Sequence, residues 1–151
     1  MISLYGFALD ARPPGQFLMV DGIAHFLSAA AGEHLRDLSD VFELTWCTGW
    51  EEKANEYLPR QLGLDGPLPY VPLKGDPVPG AHWKLAGIDR FAGPTRPLAW
   101  IDDGHDDDCV AWAARRPGPT LLVGTDPPTG IGPEHVARLR AWALALRERA
   151  G

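Results

Sequence analysis

The chain has few cysteines, no long apolar run and no excess of positive charge, and each absence excludes a class of protein. Its two cysteines, Cys47 and Cys109, lie far apart and form no C-x-x-C motif. This argues against a disulfide framework or a zinc ribbon and favours a reducing compartment. The apolar stretches end well before the roughly 18 residues of a membrane span, and no signal peptide is recognisable. We expect a cytoplasmic protein with no membrane partner.

The charge balance and the missing motifs narrow the function further. A formal net charge of −6 argues against an extended surface for duplex DNA, although a local anion site stays open. The sequence contains neither G-x-x-x-x-G-K-[ST] nor G-x-G-x-x-G, so P-loop and dinucleotide sites have no support. A G-x-S-x-G elbow and a plausible Cys-His pair are also missing, which leaves acyl-transfer hydrolysis unsupported.

Short apolar runs alternate with segments of helical spacing, and this alternation predicts an α/β domain with a parallel sheet between helices. At 151 residues the chain suits a single domain, 1–151. The predicted strands are residues 42–47, 69–73, 97–102 and 119–124, and the predicted helices are residues 28–38, 51–62, 83–91, 105–115 and 133–149.

The N-terminal part, residues 1–27, follows a different pattern. Residues 17–20 and 23–27 are apolar and flank Asp21-Gly22, which predicts a β-hairpin with a type I′ turn. Residues 2–8 lack alternation and are expected to form an irregular lead-in. Ser28 is the expected N-cap of the first helix.

Ligands of parallel α/β sheets gather at the carboxyl ends of the strands, so the residues that follow each strand are the candidates for chemistry. Thr48 and Gly49 follow the first predicted strand and open a helix, where free backbone N–H groups can hold a phosphate. The alternative is that Thr48 only caps that helix. Lys84, at the start of another helix, could neutralise an anion but taken alone is an ordinary surface lysine.

Asp102 and Asp103 follow a third predicted strand. Adjacent carboxylates at a strand end suit a hard, oxygen-preferring ion such as Mg²⁺. The three aspartates at 106–108 are different, because acidic residues in a first helical turn complement the helix dipole without any ligand.

Three segments together resemble a known family: FELTWCTGWE at 42–51, HWK at 82–84 and WIDD at 100–103. In order and spacing they are similar to a bacterial group of haloacid dehalogenase-like (HAD-like) hydrolases that includes HAD domains of RNA-repair proteins. The resemblance implies a three-layer, Rossmann-like fold with the hairpin as a small flap. It also implies that Thr48 and Lys84 bind and stabilise the transferring phosphoryl group, while Asp102 and Asp103 hold Mg²⁺.

The chain departs from the family pattern at one point. The family begins with a strand ending in D-x-D, whose first aspartate attacks phosphorus, and this motif is missing here. In the family a stretch resembling residues 2–7 directly follows D-x-D-G, so we expect Met1 to replace a valine and the true start to lie upstream.

Two functions follow from the resemblance. The first is a Mg²⁺-dependent phosphatase that acts through a phospho-aspartate and whose nucleophile lies upstream of Met1. The alternative is a non-catalytic module that binds a phosphorylated ligand or a protein partner. In either case the expected partner is a phosphorylated small molecule or a nucleic-acid end.

Overall fold

The computed structural model describes residues 1–74 and 82–150 as a mixed α/β chain. Its strands are β1 (Ser3–Leu4), β2 (Gly15–Val20), β3 (Ile23–Ser28), β4 (Leu98–Asp102) and β5 (Thr120–Gly124). Its α-helices are α1 (Ala31–Ser39), α2 (Ala54–Leu62), α3 (Leu85–Ala92), α4 (Asp107–Arg115) and α5 (Pro133–Ala150). Short 3₁₀ helices lie at Leu9–Ala11 and Glu51–Lys53. None of the helices in these described ranges is long and apolar enough to cross a bilayer.

The predicted hairpin is confirmed. Strands β2 and β3 pair antiparallel and are joined by Asp21 and Gly22, whose φ angles are 51° and 79°. Both angles are positive, as a type I′ turn requires, and this is why an Asp-Gly pair suits the position. The lead-in is more regular than predicted, because Ser3 and Leu4 form β1 on the other edge of β3.

The predicted N-cap at Ser28 is wrong. Ser28 ends β3, where it pairs with Gly15 and donates its backbone N–H to the Ile2 carbonyl at 3.0 Å. Helix α1 instead begins after Ala30, which makes no side-chain capping bond. Pairing with two other strand segments thus overrides the local capping preference of serine.

Strands β4 and β5 confirm the predicted parallel pair, with Leu98 opposite Thr120 and Asp102 opposite Gly124. They are connected through α4, as a parallel pair requires a crossover. Asp106 caps α4, since its carboxylate accepts the Cys109 N–H at 2.9 Å. Cys109 is fully buried, which agrees with a packing role for this thiol.

The predicted strands at 42–47 and 69–73 are wrong as regular elements. In the described residues this region has one isolated parallel bridge between Trp46 and Tyr70. The Trp46 N–H donates to Pro69 and the Trp46 carbonyl accepts from Val71, both at 2.8 Å. The regular parallel sheet therefore has two strands, β4 and β5. A strand needs partners along its length, and an apolar run does not supply them by itself.

Two apolar clusters lie on opposite faces of β4. Trp100 belongs to the cluster formed with α3 and α4, whereas Ala99 and Ile101 pack against the larger cluster formed with α1, α2 and α5. This alternation follows from the two-residue period of a strand. The β4–β5 pair therefore has helices packed on both faces.

The lead-in is tied to the loop that follows β5. The Tyr5 N–H donates to the Pro127 carbonyl at 3.1 Å, and the Ile131 N–H donates to the Met1 carbonyl at 3.0 Å. The two segments come close together at Gly130, whose φ angle is 69°. A Cβ at this position would lie 2.3 Å from the carbonyl oxygen of Met1, so only glycine fits here. These contacts hold Met1 beside the carboxyl end of the β4–β5 pair.

Candidate functional site

The carboxyl end of β4 carries a buried ion pair. Asp102 is 5% exposed, and its Oδ2 atom lies 2.5 Å from Lys84 Nζ. The same carboxylate accepts the Trp100 indole N–H at 3.2 Å and the Gly104 backbone N–H at 3.1 Å. Burial alone would raise the pKa of Asp102, but the bond to Lys84 and its charge, with Trp100 and Gly104, hold the pKa below its usual range. The Asp102 carboxylate is therefore charged near neutral pH, and its hydrogen bonds hold it in place.

Lys84 immediately precedes α3, so the start of this helix fixes the backbone position of the lysine. Its backbone N–H donates to His82 Nδ1 at 3.3 Å, which orders the turn before the helix. The side chain is 14% exposed, and Nζ lies 5.1 Å from the centre of the Trp83 ring. The alternative that Lys84 is an ordinary surface lysine is therefore wrong. The structure brings it together with Asp102, as predicted.

Asp103 points to a different side from Asp102. Its Oδ2 atom lies 3.8 Å from the Met1 nitrogen, and a hydrogen bond with Asp103 raises the pKa of the Tyr5 phenol. Desolvation lowers the pKa of the Met1 amino group, although the charges of Asp103 and Asp102 oppose that shift. The lead-in therefore lies against this strand end.

Thr48 and Gly49 lie in the loop between Trp46 and the 3₁₀ helix. The Thr48 hydroxyl accepts the Trp50 N–H at 3.4 Å, and the Thr48 carbonyl accepts the Glu51 N–H at 2.9 Å. The hydroxyl therefore stabilises this turn, but it does not cap the helix as the alternative expected, because the N-cap of the 3₁₀ helix is Trp50 and has no side-chain capping bond. A Cβ on Gly49 would lie 3.6 Å from the Trp83 ring, so this loop is next to the start of α3.

The hairpin contacts the helical turn that follows this loop. Asp21 at its tip is 2.5 Å from Lys53 Nζ, and the His25 ring meets the Trp50 ring edge-on at 4.7 Å. His25 also lines the cleft described next. The hairpin therefore borders the cleft, and its role as a flap stays a prediction.

A cleft of about 800 Å³ leads from this polar end into the interior. Thr48, Lys84, Asp102 and Asp103 all line it. The predicted convergence of Thr48, Lys84 and Asp102 on one edge of a parallel sheet is seen for Lys84 and Asp102, which form the ion pair, and stays a prediction for Thr48. Helices supply part of its apolar lining, including Leu35, Leu38, Ile88, Leu139, Trp142 and Ala143.

Two backbone segments border the cleft. Leu98 donates its N–H to Pro119, and the Asp102 carbonyl accepts from Thr125, so these alternate residues of β4 turn their backbone groups toward β5. By the geometry of a parallel ladder, the backbone groups of Ala99 and Ile101 point away from β5.

The same alternation holds on the other side of the cleft. Trp46 turns its backbone groups toward residues 69–71, so those of Thr45 and Cys47 point away from them. Ala99, Ile101, Thr45 and Cys47 all line the cleft. Each border therefore presents backbone donors and acceptors.

Sequence reasoning missed Glu51 and Asn55. The Glu51 carboxylate accepts the N–H groups of Leu73 and Lys74 at 2.7 and 2.9 Å, which lowers its pKa. Asn55 accepts the Trp46 indole N–H at 2.7 Å and bonds both backbone groups of Leu68 at 2.9 Å. These partners are 9 to 23 residues away in sequence, and no local pattern marks them.

His105 was also missed. Its ring stands edge-on to Trp100 at 4.6 Å, burial lowers its pKa, and its buried Nε2 atom has no partner among the described residues. Burial raises the pKa of the Cys47 thiol, which also lines the cleft, to about 12, and this disfavours the reactive thiolate at neutral pH.

The two predicted Mg²⁺ ligands fit only part of such a site. Carboxylate oxygens are what Mg²⁺ prefers, and Asp103 can offer one. Both oxygens of Asp102, however, already accept hydrogen bonds. No group of three His, Cys, Asp or Glu side chains suited to a metal occurs in residues 1–74 and 82–150. A complete site would need a further donor.

Comparison of the chain with protein-family models, with curated proteins and with solved structures finds no match. The resemblance to the HAD-like hydrolases therefore stays a prediction.

Proposed function

We propose that this chain forms most of a HAD-like, Mg²⁺-dependent phosphohydrolase whose attacking aspartate is carried by a strand that precedes Ile2. One observation carries the proposal: a half-buried lysine, held by Asp102, lies at the polar end of an apolar cleft bordered by two sets of backbone hydrogen-bonding groups. A partly desolvated cation at a strand end suits an anionic substrate such as a phosphate monoester.

The cleft supports the proposed strand. A strand placed in it could bond with Ala99 and Ile101 on one side and with Thr45 and Cys47 on the other, and the surrounding apolar side chains would cover both its faces. It would join β4–β5 to the Trp46–Tyr70 bridge in one parallel sheet, giving the three-layer, Rossmann-like fold. Met1, beside Asp103, is where such a strand would lead into the rest of the chain.

The proposed residue roles follow from position. The Lys84 ammonium would neutralise the phosphoryl oxygens, and the Thr48 hydroxyl with the Gly49 N–H would bind them. Asp102 would position Lys84. Asp102 and Asp103, with a carboxylate of the added strand, would hold Mg²⁺, which when bound would neutralise further phosphate charge.

The proposed reaction has two steps. The strand carboxylate attacks phosphorus as the bond to the leaving oxygen breaks, and that oxygen keeps the electron pair and takes a proton from the second aspartate of the D-x-D motif. Water then gives a proton to that aspartate as it attacks the phosphorus of the acyl phosphate, which releases phosphate and restores both carboxyl groups. The substrate would be a phosphorylated small molecule or a nucleic-acid end. A cytoplasmic setting agrees with two thiols, Cys47 and Cys109, that are both free.

The test uses a protein extended upstream to include an in-frame D-x-D-G. We expect Mg²⁺-dependent hydrolysis of p-nitrophenyl phosphate, and a loss of about 100-fold or more in Lys84→Met, because preorganised charge stabilisation is worth that much. Lys53→Met is the matched control, since Lys53 pairs with Asp21 on the surface, and it should retain activity within about twofold. Full activity in Lys84→Met would contradict the proposal.

The second candidate function is a phosphate-binding module without turnover. Asp102 is committed to Lys84 and the Cys47 thiol is not activated, so neither can serve as the attacking group. The module is favoured if the upstream DNA encodes no aspartates and the present chain binds phosphate and melts cooperatively.

A further inference from the structure

Trp83 combines exposure with a fixed position beside the candidate anion site. Its side chain is 53% exposed, whereas most tryptophans in the described residues are buried or half-buried. Tryptophan is enriched at interfaces, because its ring is apolar while its N–H can bond with water or a partner.

Two neighbours contact this ring: the His82 ring is stacked against it with ring centres 6.3 Å apart, and the Lys84 ammonium lies over it. Lys84 Nζ lies 5.1 Å from the ring centre, within the range of a cation–π contact. On the other side of the site, a Cβ on Gly49 would touch the ring at 3.6 Å. The indole therefore spans from the lysine to the loop that carries Thr48, and an anion bound between them would lie directly beside it.

We propose that Trp83 is a specificity-determining residue that stacks against a flat aromatic ring in the group esterified to the phosphate. This inference rests on the proposed function, because it assumes that Lys84 and the 48–49 loop receive a phosphate. The favoured ligand class is an aromatic phosphate monoester. An exposed indole gains little from a saturated group of the same size, whereas aromatic rings attract each other beyond the area they bury.

The experiment titrates this chain, with Mg²⁺ present, with inorganic phosphate, phenyl phosphate and cyclohexyl phosphate. The indole N–H signals in a proton–nitrogen correlation spectrum report binding, and the signal missing in Trp83→Phe identifies Trp83. We expect phenyl phosphate to bind about 2- to 10-fold more tightly than cyclohexyl phosphate. We also expect phenyl phosphate to shift the Trp83 signal most, through its ring current.

Three variants separate stacking from structure. Trp83→Leu should lose the preference for phenyl over cyclohexyl phosphate while its affinity for inorganic phosphate stays within about twofold. Trp83→Phe should keep the preference in part. Phe17→Ala, which removes an exposed aromatic ring of the hairpin that does not line the cleft, should leave all three affinities unchanged.

The failures are distinguishable. Equal binding of phenyl and cyclohexyl phosphate by the unaltered chain overturns the Trp83 inference alone, as does a preference that survives in Trp83→Leu. An equal loss of affinity for all three ligands in Trp83→Leu also overturns it, because Trp83 would then only support Lys84. No binding of any phosphate overturns both proposals. An inactive extended protein whose short form prefers phenyl phosphate overturns the hydrolase alone.

Discussion

Asp102→Asn should destabilise the fold strongly, since it removes the charge that faces Lys84 while keeping the side-chain shape. The two side chains of this pair are only 6% and 14% exposed. Removing one partner of a buried pair costs about 3–5 kcal/mol, because the remaining charge is left without compensation. Asparagine still offers an acceptor, so we expect a loss of about 3 kcal/mol in the free energy of unfolding.

Urea unfolding followed by tryptophan fluorescence, with EDTA present, measures this loss. Asp21→Asn is the matched control: its partner Lys53 is on the surface, and asparagine tolerates the positive φ of this turn residue. We expect the control to cost about 0–1 kcal/mol. In a double-mutant cycle with Lys84→Met, the double variant should lose less than the sum of the single losses.

The pH dependence supplies a second criterion. The pKa of Asp102 is lower in the folded chain than in the unfolded chain, so its stabilising contribution is present above the unfolded pKa of about 3.9. It is lost as pH falls through the folded pKa. The difference between the unaltered chain and Asp102→Asn should therefore shrink below about pH 4. A cost no larger than that of Asp21→Asn, or a difference that does not change with pH, would refute this account of the ion pair.

Three further predictions concern single residues. Asn55→Ala should cost about 2–3 kcal/mol in urea unfolding, because it leaves the Trp46 indole and Leu68 backbone without partners, and a loss below 1 kcal/mol would contradict this. Cys47 should react with iodoacetamide at pH 8 far more slowly in the native chain than in urea, because its raised pKa and partial burial disfavour the thiolate. Equal rates in the two states would contradict this prediction. Gly22→Ala should destabilise by about 1 kcal/mol because φ is 79°, whereas Gly66→Ala, which also has free space around it, should not, and equal effects would exclude a backbone origin.

Local patterns predicted the parts of this fold that local interactions determine. The Asp21-Gly22 turn fixes the hairpin, and strands β4 and β5 pair across one short crossover. Residues 42–47 also have strand-like composition, yet strand structure there depends on partners far away in sequence, and within residues 1–74 and 82–150 the one bridge partner is Tyr70. Ser28 failed as a cap for the same reason, since its pairing with Gly15 is a tertiary feature.

The sequence identified individual residues of the candidate site, but it did not predict how they are arranged in space. Position after a strand identified Asp102, and position at a helix start suggested Lys84. Their ion pair joins residues 18 apart in the chain, and its burial is visible only once the helices have packed. The φ angle of Glu51 is 49°, which is a strained value for a residue other than glycine. No pattern in the sequence predicts this strain.

The tie between the lead-in and the loop after β5 has a consequence for the order of folding. The hairpin and the β4–β5 unit each close short loops, so either can form early. The bonds from Ile131 to Met1 and from Tyr5 to Pro127 close loops of more than a hundred residues and gain their value only after both units exist. We therefore expect these bonds to form on the native side of the folding barrier, so that weakening them speeds unfolding while leaving the folding rate nearly unchanged.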